Sequence, residues 1–272
     1  MRILITNDDG IEAPALPVLA GALAQAGHDV RVAAPMVGHS GCGASIGSVA
    51  EGHRIRVERM NLVGAEGLPA YAVDSPPAFI VLAALQGRFG PRPDVVVTGP
   101  NSGLNLGPLV LHSGTLGAAV TAASQGVPAI ALSTEKRARF GYDTASEFCQ
   151  RHLTRLVGAM GAGAAVNINV PDLPMQQIKG IRQTRLAPRS LVEIVLLDEA
   201  RPVAETADSA LLRIELNYDD DRSLHRQWRD TLSEQDDTDA GAIVDGFISV
   251  TVVHGGLRHV DGHDLSAAFH AL

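Results

Sequence analysis

The strongest constraint on the fold is the pattern that opens the chain. Residues 2–6 (RILIT) form an apolar run of strand length, and residues 14–26 carry apolar side chains at helical spacing between Pro14 and Gly27. A second strand-like run follows at residues 28–34. Two strands joined through a helix run parallel, with a right-handed crossover. The opening therefore predicts an α/β fold.

The same alternation continues through the first two thirds of the chain. Gly-rich polar stretches at residues 36–48 and 99–112 are typical of loops. The pattern predicts a Rossmann-like parallel sheet with helices on both faces. We expect further strands at 94–98, 127–133 and 165–170, helices at 75–88, 113–125 and 144–160, and hairpin or irregular structure at 49–73.

The remainder of the chain has a different pattern. Short strand-like pieces at 191–197, 211–217 and 247–253 are separated by acidic loops. We interpret residues 1–180 as the α/β core and residues 181–272 as a β-rich extension with a C-terminal helix, within one structural domain overall. The extension is expected to pack on a neighbouring subunit, because short strands alone would leave exposed edges. The acidic runs (Asp219–Asp221, and Asp236, Asp237 and Asp239) indicate solvated loops rather than a second metal site.

Composition limits the class of protein. The formal charge of −8 argues against a broad nucleic-acid-binding face, because phosphate backbones require clustered Lys and Arg. Two cysteines without close spacing, Cys42 and Cys149, do not form a disulfide framework. No run of about 20 apolar residues indicates a membrane span, and the N-terminus lacks a signal-peptide pattern. We expect a cytoplasmic protein.

Asp8 and Asp9 are adjacent carboxylates directly after the first strand. Ligands of open α/β sheets bind at the carboxyl ends of the strands. Two neighbouring carboxylates repel each other unless a cation or a proton intervenes, and hard cations such as Mg²⁺ or Mn²⁺ prefer oxygen ligands. The alternative is an Asx-turn with helix capping by Asp9. A response-regulator receiver domain also has acids at this position, but such domains are shorter and need a later Asp and Lys at strand ends.

Two other loops supply polar groups at the same edge. Asn101 follows a strand and offers a neutral oxygen ligand. Ser113, Gly114 and Thr115 precede a helix of small residues, which favours an anion site at the helix N-terminus, or plain N-capping. Ser40 offers an oxygen for a metal or phosphate.

The stretch 38–45 (GHSGCGAS) contains two further side chains with possible roles. His39 is a candidate proton donor or phosphate contact, and a loop histidine without a role is the competing interpretation. Cys42 is a poor candidate nucleophile, because no His has a spacing that clearly pairs with it.

These motifs resemble the survival protein E (SurE) family of metal-dependent nucleotidases. The opening ILITNDDGIEAPAL is similar to that family's N-terminal signature. The similarity extends in order along nearly the whole chain. It includes the segments 34–41, 98–107, 112–117, 167–185 and 245–251.

The resemblance implies a site and an activity. It assigns one divalent metal ion per subunit, Mg²⁺ or Mn²⁺, to Asp8, Asp9, Ser40 and Asn101. It assigns phosphate contacts to Gly41, Ser113, Gly114 and Thr115. It further implies hydrolysis of nucleoside 5′- or 3′-monophosphates and a homodimer or homotetramer. The catalytic set is then Asp8, Asp9 and Asn101.

The chain departs from the family pattern around this site. Met36, Gly38 and His39 stand where the family has Asp, Asn and Arg, and Pro108 and Leu109 replace an acidic pair. The rim is thus less polar, which predicts a shift toward substrates with a less polar leaving group. Two other functions stay open. One is a related hydrolase for another phosphorylated or glycosidic small molecule, and the other is a non-catalytic nucleotide- or phosphate-binding protein.

Overall fold

The structure is a computed structural model, and it describes residues 1–136, 138–161, 163–188, 193–197, 213–217 and 237–256. The strands are β1 (Arg2–Thr6), β2 (Asp29–Pro35), β3 (Val57–Met60), β4 (Ala70–Val73), β5 (Val95–Ser102), β6 (Ala129–Thr134), β7 (Ala164–Val170), β8 (Ile181–Thr184), β9 (Glu193–Leu197), β10 (Arg213–Asn217) and β11 (Ile248–His254). The helices are α1 (Ala15–Gln25), α2 (Pro77–Leu85), α3 (Gly114–Ser124), α4 (Gly141–Ala159) and α5 (Asp239–Val244), with 3₁₀ turns at Gly107–His112 and Met175–Gln177.

Nine of the described strands form one sheet in the order β3-β4-β2-β1-β5-β6-β7-β11-β8. The strands from β4 to β7 are parallel to one another, whereas β3 pairs antiparallel with β4 and β11 pairs antiparallel with β7. The sheet is therefore mixed rather than purely parallel. The expected α/β fold is confirmed, and the hairpin expected at 49–73 is the pair β3–β4.

Helices cover both faces of the sheet, as predicted. Successive residues of β1 point to opposite faces, so Ile3 and Ile5 join the core beneath α1 and α4, whereas Leu4 joins the core beneath α2 and α3. All three side chains are at most 1% exposed. A strand buried on both faces must be apolar throughout, which explains the continuous run in RILIT.

The C-terminal third contributes to the main sheet. β8 and β11 lie beyond residue 180 and extend the sheet from β7, while β9 and β10 form a separate antiparallel pair. The sequence pattern predicted β9, β10 and β11 but missed β8 and α5. The division at residue 180 stays a prediction, and the expected C-terminal helix lies outside the described residues.

Candidate active site at the end of the first strand

The turn after β1 is held by Asn7. Its side-chain amide donates to the carbonyl oxygen of Gly10 at 2.9 Å, and its Oδ1 accepts from the Gly10 N–H at 3.1 Å. Gly10 has φ +103°, a conformation that favours glycine. Helix α1 begins after Pro14 without a side-chain cap. The Asx-turn is thus made by Asn7, and neither aspartate caps α1, which leaves both carboxylates available for another role.

Asp8 reaches from β1 to the start of α3. Its Oδ2 accepts from the Gly114 N–H at 3.1 Å, and its Oδ1 accepts a hydrogen bond from the Thr115 hydroxyl. The residue is 3% exposed. Burial raises the pKa of Asp8, and the neighbouring charge of Asp9 raises this pKa further, while the Thr115 hydrogen bond opposes the shift.

Asp9 is oriented by the end of β5. Its Oδ2 accepts from the Ser102 N–H at 3.0 Å, and burial raises the pKa of its carboxyl. Among the ion pairs found in the described part of the chain, none involves Asp8 or Asp9. Two adjacent, largely buried carboxylates without a cationic side chain provide the negative charge that a divalent cation neutralises.

The other two predicted ligands are supplied by loops that contact this pair. Asn101 is half-buried at the end of β5, and its Nδ2 donates to the Gly103 carbonyl at 2.7 Å, which orients the amide. Ser40 is exposed and follows His39, whose N–H donates to the Asp8 carbonyl at 2.7 Å. Carboxylate, amide and hydroxyl oxygens are the donor types that Mg²⁺ and Mn²⁺ prefer, and ligation by Ser40 and Asn101 stays a prediction. Within the described residues, no group of three or more His, Cys, Asp or Glu side chains is placed to hold a metal.

The predicted phosphate residues have additional roles. Ser113 is the N-cap of α3, and its Oγ accepts from the Leu116 N–H at 3.0 Å, so the N-capping alternative is confirmed for this residue. Thr115 is fully buried, and its hydroxyl holds Asp8. Gly41 is exposed with φ +85° and open space around it. Phosphate binding by Gly41, Ser113, Gly114 and Thr115 stays a prediction.

Close packing at Gly114 brings these elements together. A Cβ at this position would lie 2.7 Å from the Asp8 Cβ and 2.8 Å from the Cys42 Sγ. Both distances are below any ordinary contact, so only glycine fits. Burial and the charge of Asp8 raise the pKa of the Cys42 thiol, which disfavours a nucleophilic thiolate.

A buried polar network fixes the loop between Asn101 and Ser113. The Asn105 N–H donates to Asn169 Oδ1 at 2.7 Å, and its side chain donates to Ser133 Oγ at 2.7 Å. Its carbonyl accepts from the side-chain amides of Asn167 and Asn169. The network holds the middle of a loop whose two ends both reach the carboxylate pair.

Asp239 anchors the same loop from the C-terminal third of the chain. Its carboxylate accepts three backbone N–H bonds, from Gly107 at 3.0 Å and from Ala187 and Ala240 at 2.8 Å each. It is 0% exposed, and burial raises its pKa. The expectation of a solvated acidic loop was therefore wrong for Asp239. Asp239 is the first residue of α5, whose N-cap is Thr238, and its carboxylate ties Ala187 to the site loop. Only the Thr238–Asp239 pair before a short apolar run could have signalled a helix start.

The same expectation fits Asp237, which is exposed and pairs with Arg185 at 2.5 Å. Asp219–Asp221 and Asp236 lie outside the described residues.

The rim differs in part from the expectation. Met36 is partly buried and packs against the core beneath α1, which leaves only part of its side chain to line the mouth. Gly38 lies against the backbone of Asp9, where a Cβ would be 3.5 Å from the carbonyl oxygen. Pro108 is exposed, and Leu109 and His39 are half-buried.

Comparisons with known proteins agree on one family. Residues 3–193 match the family model described as Survival protein SurE. The chain is 35% identical to the 5′-nucleotidase SurE of Desulfitobacterium hafniense over 261 residues, covering 94% of this chain and 92% of that protein. It is 34% identical to the 5′/3′-nucleotidase SurE of Salmonella arizonae over 270 residues, covering 97% and 94%. The crystal structure of the SurE protein from Aquifex aeolicus matches with a TM-score of 0.73 and 25% identity, covering 95% of each chain.

Proposed function

Because the chain belongs to the SurE family, we propose that it is a divalent-metal-dependent phosphomonoesterase that hydrolyses nucleoside 5′- or 3′-monophosphates. The observation that carries the proposal is the largely buried carboxylate pair Asp8–Asp9 at the carboxyl edge of the sheet, beside the N-terminus of α3. Neither carboxylate takes part in an ion pair found among the described residues. That arrangement supports a cation site next to a site for an anion.

Each residue then has a defined part in the reaction. Asp8 and Asp9 hold one Mg²⁺ or Mn²⁺ per subunit, with Ser40 and Asn101 as the remaining protein ligands. An ion held by these residues would supply Lewis-acid chemistry, polarising a phosphoryl oxygen and lowering the pKa of a water. Gly41 and the start of α3, with Ser113, Gly114 and Thr115, stabilise charge on the phosphoryl oxygens.

Hydrolysis transfers the hydroxyl group of water to phosphorus and a proton to the leaving oxygen. Water adds its oxygen to phosphorus, the ester P–O bond breaks, and the leaving oxygen is protonated to give nucleoside and inorganic phosphate. His39 is a candidate for this proton transfer, because its backbone N–H donates to the Asp8 carbonyl and so holds residue 39 beside the pair.

The test is turnover of a phosphomonoester panel with and without Mn²⁺, in the wild type and in Asp8→Asn. We expect metal-dependent release of phosphate from nucleoside monophosphates by the wild type and loss of activity in Asp8→Asn, with metal affinity weakened in calorimetry. Asp74→Asn is the matched control, because Asp74 is an exposed carboxylate outside the site. Tight nucleotide binding without turnover would instead support the non-catalytic alternative, and unchanged metal affinity in Asp8→Asn would remove the metal assignment.

The fold of the variant should be retained. An Asn side chain at position 8 can accept a hydrogen bond from the Gly114 N–H through its oxygen. Its amide NH₂ group can donate to the Thr115 hydroxyl, which then accepts this hydrogen bond instead of donating it. Removal of one buried anion also relieves the repulsion with Asp9. A thermal melt of metal-free protein checks that the variant is folded.

We also propose a homodimer or homotetramer in the cytoplasm. Both cysteines, Cys42 and Cys149, are free thiols, as expected in a reducing compartment. Among the described residues, no helix is long and apolar enough to cross a membrane.

A further inference from the structure

Two segments form the mouth around the carboxylate pair, and they contact each other. Residues 36–46 follow β2, and residues 103–113 follow β5. The Gly43 N–H donates to the His112 carbonyl at 3.0 Å, and a Cβ on Gly43 would lie 2.8 Å from the Leu111 carbonyl oxygen. The first segment also touches the pair directly, through the His39 N–H on the Asp8 carbonyl. The two segments therefore form one continuous edge beside the site.

This edge exposes three aliphatic side chains, of which Ile46, at the end of the first segment, is the least exposed at 38%. Val37 is 63% exposed and Leu111 is 77% exposed. Their chain neighbours Met36 and Val110 are packed against the two cores, so the segments alternate between buried and exposed apolar residues. Single exposed apolar side chains are common, but several on one edge beside a polar site indicate a contact surface.

The same edge carries no permanent charge. Residues 36–46 (MVGHSGCGASI) and 103–113 (GLNLGPLVLHS) contain no Lys, Arg, Asp or Glu. A substrate with a second anionic group would find no fixed cation there. Two exposed basic side chains, Lys136 and Arg139, follow β6, on the other side of β5.

We propose that Val37 and Leu111 form an apolar lip that contacts the leaving group of the substrate. The enzyme then prefers monoesters whose alcohol presents an aromatic or aliphatic surface, a nucleobase included, over monoesters that carry a second anionic group. This inference rests on the proposed phosphomonoesterase function. Val37 and Leu111 are specificity-determining residues, because they contact the departing alcohol and not the phosphoryl group.

The experiment compares kcat/KM on three substrates with saturating Mn²⁺. These are 2-naphthyl phosphate, glycerol 2-phosphate and adenosine 3′,5′-bisphosphate. The variants are Val37→Ser and Leu111→Ser. Val252→Ser is the matched control, because Val252 is a 56% exposed valine on β11, four strands from β1.

Each lip variant should lower kcat/KM on 2-naphthyl phosphate about 10-fold, because loss of apolar contact in a substrate site typically costs this much. The value on glycerol 2-phosphate should change less than about 2-fold. Val252→Ser should leave kcat/KM on both monophosphates unchanged. The wild type should have a lower kcat/KM on the bisphosphate than on 2-naphthyl phosphate.

Several results would contradict the proposed apolar lip. An equal loss on both monophosphates would indicate disturbed folding of the site, and no loss on either would remove the contact. A wild-type preference for the bisphosphate that Arg139→Gln abolishes would place the leaving group against the loop after β6. A smaller mass of Leu111→Ser in light scattering would make Leu111 a subunit contact. These results would be compatible with the proposed phosphomonoesterase function. Absence of turnover on every phosphomonoester would contradict both that function and the apolar lip.

Discussion

The hydroxyl of Thr115 donates a hydrogen bond to Oδ1 of Asp8, joining two residues 107 positions apart in the chain. Thr115 is fully buried in the first turn of α3, so this hydroxyl has no access to solvent. Its contact keeps the Asp8 carboxylate in the orientation that also receives the Gly114 N–H. Thr115 is thus a positioning residue for the proposed metal ligand.

Substitution of Thr115 should weaken metal binding. Thr115→Val keeps the shape but removes the hydroxyl, and loss of a hydrogen bond that orients a metal ligand typically lowers metal affinity about 10- to 100-fold. Thr115→Ser should restore most of the affinity. Thr121→Val on the same helix is the control, since its hydroxyl only contacts the Gly117 carbonyl at 2.7 Å. Calorimetric titration with Mn²⁺ measures the effect, and equal affinities for the Val and Ser variants would contradict it.

Metal stabilisation should depend on pH above the usual aspartate range. Burial raises the pKa of both Asp8 and Asp9 in the folded, metal-free protein. A carboxyl with a raised folded-state pKa stabilises the fold when protonated, and this contribution is lost as pH rises through that pKa. Mn²⁺ competes with these protons, so the increase in Tm caused by Mn²⁺ should be largest near neutral pH and should shrink on acidification.

The decrease should begin at a higher pH than it would for an ordinary aspartate, whose pKa is about 3.9. Thermal melts over a pH series, with and without Mn²⁺, test this expectation. A metal effect that stays constant down to the ordinary aspartate range would show that the two carboxyls are not perturbed.

Two helical glycines should respond in opposite directions to alanine. Gly114→Ala places a Cβ 2.7 Å from the Asp8 Cβ and 2.8 Å from the Cys42 Sγ, so it should lower both stability and activity. Gly158→Ala meets nothing within 4 Å in α4 and should stabilise the protein by up to about 1 kcal/mol. Urea unfolding and phosphatase assays on both variants provide the comparison. Full activity of Gly114→Ala would mean that the loop of Cys42 can move aside.

Removal of the Asp239 carboxylate should destabilise the protein far more than removal of its near neighbour. Asp239→Ala leaves three buried backbone N–H groups without their acceptor and should cost about 3 kcal/mol or more. Asp237→Ala breaks an exposed ion pair with Arg185 and should cost less than about 1 kcal/mol. Denaturant unfolding measures both free energies. Similar losses for the two variants would contradict the anchoring role of Asp239.

Light scattering coupled to size exclusion should show at least a dimer. β9 and β10 pair only with each other among the described strands, and β3 and β8 are the outer strands of the main sheet, so edges are available for contact between subunits. A monomer at micromolar concentration would contradict the expectation that residues 181–272 mediate oligomerisation.

Sequence reasoning identified the core elements because their signals are local. The periodicity of apolar side chains indicates which residues are buried, and it depends only on neighbours in the chain. This pattern is present in RILIT, AVNINV and the helical segments. It missed β8 and α5, since residues 181–184 alternate in burial without an apolar stripe and α5 has only six residues. It also predicted that Asp239 is exposed to solvent, because an acidic residue in an acidic stretch has the same local sequence pattern whether its side chain is exposed or buried.

The residue types at the candidate site were determined by the sequence alone. The adjacent carboxylates of Asp8 and Asp9 at the end of an apolar strand, and the small residues at 113–117, specify a polar edge on an α/β sheet. Only the tertiary structure decided how these groups are used. Hydrogen bonds and steric contacts between distant residues depend on three-dimensional packing, so the sequence could not reveal that Thr115 holds Asp8 or that Asp239 anchors Gly107. It likewise could not show that Met36 packs into the core while Val37 and Leu111 stay exposed at the mouth.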